Sequence, residues 1–271
     1  MTDGAIRWWQ TLTTVDAETI GLSDPVVILP VAAIEQHGPH LPLSTDLDIG
    51  LGLLSEAFRK LPDGAPVWAL PPQAVGCSRE HAGFPGTFSL EPEQLSALIE
   101  GTGEALANIG VRRLVLSNSH GGNRNALKSA GLRLRDELGM LVVHASWFHF
   151  PRPKDVDLPE SEWRHGLHGG AVETAMMMYL QPDLVHTSRA VRARSLGEDL
   201  EETLHRVGPE GSASFSWLAG DLNSDGVVGN ATLADADLGE CLVVHYGSVL
   251  AEIIEDTKAF PLDRLTDQSE D

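Results

Sequence analysis

The chain is expected to fold as an α/β protein whose largely parallel sheet is covered by helices on both faces. Three observations lead there: short apolar runs bounded by turn residues, segments of helical spacing between them, and regular alternation of the two as far as about residue 150. The apolar runs are PVVILPVAAI (25–34), PVWALPP (66–72), VRRLVLSNS (111–119) and MLVVHASWF (140–148), each suited to a buried strand. Helical spacing marks DLDIGLGLLSEAFRKL after the first run, EPEQLSALIEGTGEALANIG before the third and NRNALKSAGLRLRDELG after it.

Beyond residue 150 the pattern loosens. PRPKDVDLPESEWRHG (151–166), rich in Pro and charge, is predicted to be a long loop covering an active site. GGAVETAMMMYL (169–180) is expected to be helical up to Pro182, with its Met176–Met178 run serving helix packing. The polar stretch from Arg189 to about Asp225 is expected to form a flap or a subunit contact. ADADLGECLVVHYGSVLAEIIEDTKAF is read as a long C-terminal helix with Asp residues near its start, where the helix dipole favours negative charge. The whole of 1–271 is expected to be a single domain, with 1–10 and 264–271 fraying.

Acidic residues outnumber basic ones 39 to 19, and a formal charge of -20 repels a phosphate backbone or an anionic membrane, so neither nucleic acid nor membrane is expected as a partner. Only four lysines occur, so the basic side is mostly arginine, reflecting either a salt-rich habitat or a compositional bias. Cys77 and Cys241 form no pair motif, which fits a reducing compartment. MTDGAIRWWQ lacks the basic start and apolar run of a secretory signal, and no stretch reaches the roughly 18 apolar residues of a membrane span. The expectation is a soluble, cytoplasmic protein.

In open parallel sheets ligands bind beyond the carboxyl ends of the strands. Two polar loops lie there, EQHGPHLPLSTD after the first strand and HGGN after the third. Glu35 and His37 are two positions apart where a strand runs out, so both side chains face one side. Asp46 follows after a segment stiffened by Pro39 and Pro42, and a loop of that length folds back to bring carboxylate, imidazole and carboxylate together. Such a donor set suits zinc, manganese or iron better than calcium. His120 supplies a further ligand, Gly121 and Gly122 let the backbone pass close to an ion or substrate, and Asn123 is placed to cap the next helix. One Asp bridging two ions makes a binuclear centre with a spacing of roughly 3.5 to 4 Å, able to activate a water and polarise a carbonyl. In HGGAVET (168–174), Glu173 is in reach of the metals if His168 precedes the helix, and His168 then shuttles a proton.

GCSREHAGFPGTFS (76–89) has the make-up of a substrate-binding wall, with the Ser78 hydroxyl and backbone amides available to a polar ligand. Glu80 and His81 are balanced between pocket lining and ordinary loop polarity. His40 and Asp48 are read as groups that orient ligands or cap the next helix, and Cys77 as a small buried residue. His144, His149, His186, His205 and His245 carry no assigned role.

Taken in order, EQHGPHLPLSTD, GCSREHAGFPGTFS, SHGGN and HGGAVET resemble the creatininase family of metal-dependent amidohydrolases over about residues 25–180, with SDGVVGNATLADADLGE similar to the family's closing segment. The resemblance implies a three-layer α/β/α sandwich, two divalent ions per subunit and a homo-oligomer, often a hexamer. By position it assigns Glu35 and His120 to one ion, His37 to the other, Asp46 as the bridge, His168 to proton transfer and Ser78 to substrate contact. Creatininase itself carries a Tyr and a metal-binding Glu where this chain has Gly121 and Gly122, so Glu173 or a water takes the vacated ligand position. It also holds creatinine with a Trp and an Asp where this chain has Arg164 and His165, which counts against creatinine as the substrate.

The function expected is hydrolysis of a non-peptide C–N bond, a cyclic amide or formamide of a small polar molecule, with Arg164 recognising a carboxylate or phosphate on it. Two alternatives stand beside it: trimming of a precursor peptide in a redox-cofactor pathway, and a catalytically silent protein whose metals only organise a pocket. Phosphodiester cleavage suits two ions but conflicts with the acidic composition.

Overall fold

The structure is a computed structural model and describes residues 5–265. After helix α1 (Thr14–Gly21) the chain runs β1 (Val26–Val31), α2 (Thr45–Lys60), β2 (Val67–Ala69), α3 (Pro92–Ala107), β3 (Arg113–Asn118), α4 (Arg124–Leu138) and β4 (Leu141–Ser146). All four strands are parallel, in the order β2-β1-β3-β4.

The alternation of strand side chains decides which helices cover which face. Val27, Leu29 and Val31 of β1 and Leu114 and Leu116 of β3 pack with Leu95 and Ile99 of α3 and Leu127 and Leu134 of α4. Val26, Ile28 and Val115 point the other way, onto Leu54, Ala57 and Phe58 of α2. Local chemistry sets the helix ends. Gln94 accepts the Glu91 N–H at 2.9 Å and Pro92 opens α3, while Gly139, at φ 63°, closes α4.

The remaining elements are α5 (Glu160–His165), α6 (Ala171–Leu180), β5 (Arg192–Ala193), α7 (Leu196–Glu201), β6 (Val207–Gly208), β7 (Ala213–Ser214), α8 (Ala219–Leu222), β8 (Gly229–Asn230) and α9 (Ala236–Ala259). Leu250 and Ile254 of α9 pack beside α2, and α6 joins both helices in a third core built on Ile49, Leu53, Met176, Met177 and Leu242. The result is the three-layer α/β/α sandwich. Met176 and Met177 are fully buried, as the packing reading of the Met run requires. Asp235 caps α9 by accepting the Leu238 N–H at 2.8 Å.

Two expectations are revised. The segment 151–166 does not remain a loop throughout, because its end forms α5, whose Trp163 packs on the third core. Residues 5–10 do not fray: the Arg7 side chain donates to Val67 O at 3.0 Å, Ala69 N donates to Arg7 O at 2.8 Å and Trp9 packs on the first core. Within the polar stretch after Arg189, expected to be a flap or a subunit contact, β5 pairs antiparallel with β8 and β6 pairs parallel with β7. Residues 1–4 and 266–271 lie outside the described residues.

Candidate metal centre

The strand order fixes where the site forms. β1 and β3 are neighbours, yet the loop after β1 leads to α2 on one face of the sheet and the loop after β3 leads to α4 on the other. A crevice opens between the two diverging loops, at the carboxyl ends of the strands. Glu35 and His37 come from the first loop and His120 from the second. Asp46 lies in the first turn of α2, where the helix dipole favours a carboxylate.

An amide lattice holds these loops together. Asn123 Nδ2 donates to Ala32 O at 3.1 Å and to Asn118 Oδ1 at 3.2 Å, and its Oδ1 accepts the Cys77 N–H at 2.9 Å. Asn118 in turn accepts from His120 N at 3.2 Å and donates to His120 O at 2.8 Å. The Asn123 side chain is therefore a cross-link between the loops and does not cap α4, as the sequence suggested.

Three sets of donor atoms converge, each with its members within 4.8 Å of one another: Glu35, Asp46 and His120; His37, Asp46 and Glu173; Glu35, His37 and His168. Asp46 is shared by the first two. His120 Nδ1 lies 3.3 Å from Glu35 Oε1 and 3.2 Å from Asp46 Oδ2, and His37 Nε2 lies 3.4 Å from Asp46 Oδ1. Glu173 joins from α6, its Oε2 accepting the Gly169 N–H at 2.6 Å. His168 does precede the helix, and its Nδ1 stands 3.7 Å from Glu35 Oε1.

Backbone carbonyls orient the rings. Nε2 of His120 donates to Cys77 O at 2.8 Å, Nδ1 of His37 to Glu35 O at 3.1 Å, and Nε2 of His168 to Gln36 O at 2.7 Å. In the neutral ring each of these bonds takes the single N–H and leaves the other nitrogen's lone pair directed into the cluster, the arrangement in which histidine ligates metals.

The electrostatics match a site built for cations. Both Glu35 carboxylate oxygens, His37 Nε2 and Asp46 Oδ2 are buried without a hydrogen-bond partner. Three carboxylates buried this closely repel one another, and cations offset that repulsion. Burial by itself would lower the His37 pKa, but Asp46, Glu173 and Glu35 outweigh it and raise it to about 9. His120 is raised in the same way, against its burial, by Glu35 and Asp46. Burial pushes Glu173 up to about 7 even though His37 opposes it. His168 is lowered well below the ordinary imidazole value by burial and by His37 and His81, which leaves its lone pair free.

The other singled-out residues fall in three places. Ser78 is buried against the ring of His120, its Oγ 3.4 Å from Nε2, and Gly121 faces open space. His40 and Asp48 stand outside the ligand sets: His40 Nε2 meets Thr174 Oγ1 at 3.0 Å, and Asp48 accepts the Ser44 hydroxyl at 2.7 Å. Arg164 and His165 line a cavity of about 350 Å³ together with Leu167, Glu201 and residues 204–212, and both pair with Glu201, at 2.7 and 3.0 Å. At Gly122 a Cβ would lie 2.1 Å from Cys77 O and 2.6 Å from Glu80 Oε1, so the loop carrying Glu80 occupies the space a side chain there would need. Burial holds Glu80 above the usual carboxylate range, and burial likewise pushes the Cys77 thiol up.

Sequence reasoning missed Gln36. The signal was its place between Glu35 and His37, where alternation turns its side chain away from theirs.

Residues 10–254 match the family model described as creatinine amidohydrolase. The chain is 37% identical over 219 residues to a protein from Mycolicibacterium smegmatis named mycofactocin precursor peptide peptidase, covering 80% of this chain and 78% of that one. Among solved structures it is similar to creatinine amidohydrolase (creatininase), with a TM-score of 0.76 and 26% identity over 94% of this chain and 98% of that one. It is also similar to a manganese form of creatininase, with a TM-score of 0.73 and 25% identity over 93% of this chain and 98% of that one. The sandwich, the crevice between β1 and β3 and the family match agree: the chain belongs to the creatininase family.

Proposed function

We propose that the protein hydrolyses a non-peptide C–N bond, in a cyclic amide or formamide of a small polar molecule, at a centre of two divalent cations per subunit. Family membership carries the coarser part, a hydrolase that acts on C–N bonds and uses divalent metal. The observation that carries the finer part is Asp46, shared between two buried donor sets whose oxygens and imidazole nitrogens lack hydrogen-bond partners.

In this reading Glu35 and His120 would hold one ion and His37 and Glu173 the other, with Asp46, common to both donor sets, serving the two. Zinc, manganese or iron held there supplies Lewis acidity, which lowers the pKa of a water and polarises a carbonyl. His168 takes a proton at Nδ1 as water adds to the carbonyl carbon, and delivers it to the leaving nitrogen as the C–N bond breaks. Its Nε2–H stays on Gln36 O throughout, which keeps the ring aimed. Ser78 and Gly121 border the reacting group beside His120, and Arg164 and His165 on the neighbouring cavity wall receive an anionic part of the substrate. Residues 1–271 act as one domain, and the family resemblance favours a homo-oligomer of hexameric form. Among the described residues no helix is long and apolar enough to cross a membrane.

A second reading, trimming of a precursor peptide, is favoured by the 37% identical relative whose name states that activity. Metal analysis of the purified protein, followed by assay against lactams, formamides and short peptides, tests both. Hydrolysis of a lactam or formamide that disappears in His120→Ala is expected. Cleavage of peptides alone transfers support to the second reading, and a protein that takes up no transition metal, or a fully active His120→Ala, contradicts the reading.

A further inference from the structure

Gln36 is buried between two histidines, and its hydrogen bonds leave one arrangement of protons open. Its Oε1 accepts the Gly38 N–H at 3.0 Å, and its Nε2 donates to Gly226 O at 2.6 Å. Turning the amide over would set its oxygen against a carbonyl and its NH₂ against an N–H, so the NH₂ end is fixed. That same NH₂ lies 2.8 Å from His81 Nδ1, which must then accept. A neutral His81 therefore carries its proton on Nε2, the atom that faces the cluster 3.5 Å from Glu35 Oε1. On the other side the His168 ring has Nε2 2.7 Å from Gln36 O, a distance at which Nε2 must donate. Its 3.2 Å approach to the Gln36 NH₂ is then a contact between two donors and not a hydrogen bond.

The two rings lie against one another, centroids 4.2 Å apart and planes tilted by 31°, with opposite polarity toward the site. His120, His37 and His168 direct lone pairs into the cluster, whereas His81 directs an N–H. An imidazole N–H cannot ligate a cation, and His81 belongs to none of the three donor sets. The His81–Glu35 contact is long and misaligned for a hydrogen bond, and Glu35 Oε1 has no such partner.

We propose that His81 is a further catalytic residue, a neutral imidazole whose Nε2–H donates a hydrogen bond to the oxygen that gains negative charge when water adds to the substrate carbonyl, and that Gln36 is the positioning residue that sets its tautomer. A neutral histidine serves such a purpose because it stabilises developing charge without itself giving up the proton. The Gly226 carbonyl, delivered by the turn before β8, is the fixed point that orients the Gln36 amide.

The catalytic half of this proposal rests on the hydrolytic reading above; the tautomer does not, and the experiment separates them. Protein labelled with 15N-histidine, both metal-free and zinc-loaded, is studied by long-range proton–nitrogen correlation, the His81 signals being identified by their absence from His81→Gln. The expected pattern is a neutral ring protonated at Nε2 in both forms, giving way to a mixture of tautomers in Gln36→Leu. A ring protonated at Nδ1, or an unchanged single tautomer in Gln36→Leu, overturns the proposal. In hydrolysis, His81→Gln offers an amide NH₂ in place of Nε2–H and retains kcat to within about tenfold, while His81→Leu loses about 100-fold in kcat with KM little changed. Equal losses in the two variants overturn the donor role. A protein that binds no metal and cleaves no C–N bond defeats the hydrolytic reading, while the spectra still decide the tautomer.

Discussion

Residues 26–180 and residues 189–230 build the same site by different means. The first region supplies every side chain of the three donor sets, carried on strand ends and helix starts whose positions follow from a buried parallel sheet. The second supplies none of those side chains. It offers backbone instead: Gly226 O to Gln36 at 2.6 Å, and Val228 N to His168 O at 2.8 Å. Glu162 ties the regions together, its carboxylate accepting the N–H of Ala171 at the start of α6 and of Asn230 in β8, both at 2.7 Å. The donor side chains thus come from one region and their orientation partly from the other.

Several substitutions sharpen or break this division. The largest effect is expected for Asp46→Ala, which removes the shared carboxylate. Metal content measured by elemental analysis should fall for both ions and hydrolysis should drop to background; full retention of either ion would break the bridging assignment. Gly226→Ala tests the second region directly. At φ +74° a side chain is strained, and its Cβ would lie 2.6 Å from the Phe84 ring and 2.8 Å from Gln36 Oε1. Stability should fall by about 1–3 kcal/mol, and kcat of the folded fraction by about 10–100-fold, as for other groups that orient ligands from behind. If kcat is unchanged, the second region only packs.

Metal uptake should also depend on pH in a definite direction. His37, raised to about 9, and His120, also raised, hold protons at pH 7 in the cation-free site, and a cation must displace them. Zinc affinity should therefore rise from pH 6 to pH 9, with proton release seen by calorimetry in buffers of different ionisation enthalpy; affinity flat across this range would remove His37 and His120 from the ligand set. Glu162→Gln places an NH₂ against backbone N–H groups and should cost about 1–3 kcal/mol of stability, read as a lower melting temperature. The smallest effect is expected for Arg164→Ala. Its pair with Glu201 is exposed and screened by solvent, so stability should hold and only KM should rise; an unchanged KM would remove Arg164 from substrate recognition.

The sheet and its helices were legible because buried parallel strands and amphipathic helices write their periods into the sequence. Glu35, His37, Asp46 and His120 were legible as candidate donors because polar side chains gather where strands end, and the structure brings their donor atoms together. What the sequence concealed is of another kind. A carbonyl such as Gly226 O or Cys77 O carries no residue type, so the tautomers it helps to set leave no pattern. Asn123 looked like a helix cap because it stands where caps stand, yet Ala32 and Cys77 across the crevice and Asn118 at the end of β3 claim its side chain. Arg164 and His165 follow one another beside HGG but turn toward Glu201 on the cavity wall, a direction fixed by α5 where the sequence suggested a loop.

Diffraction from crystals soaked in zinc or manganese, recorded at the absorption edge of the metal, tests the central claim most directly. Two anomalous peaks are predicted, one on either side of Asp46 and roughly 3.5–4 Å apart, with Glu35 and His120 on one and His37 and Glu173 on the other. A single peak, or peaks that leave Asp46 unligated, would contradict it.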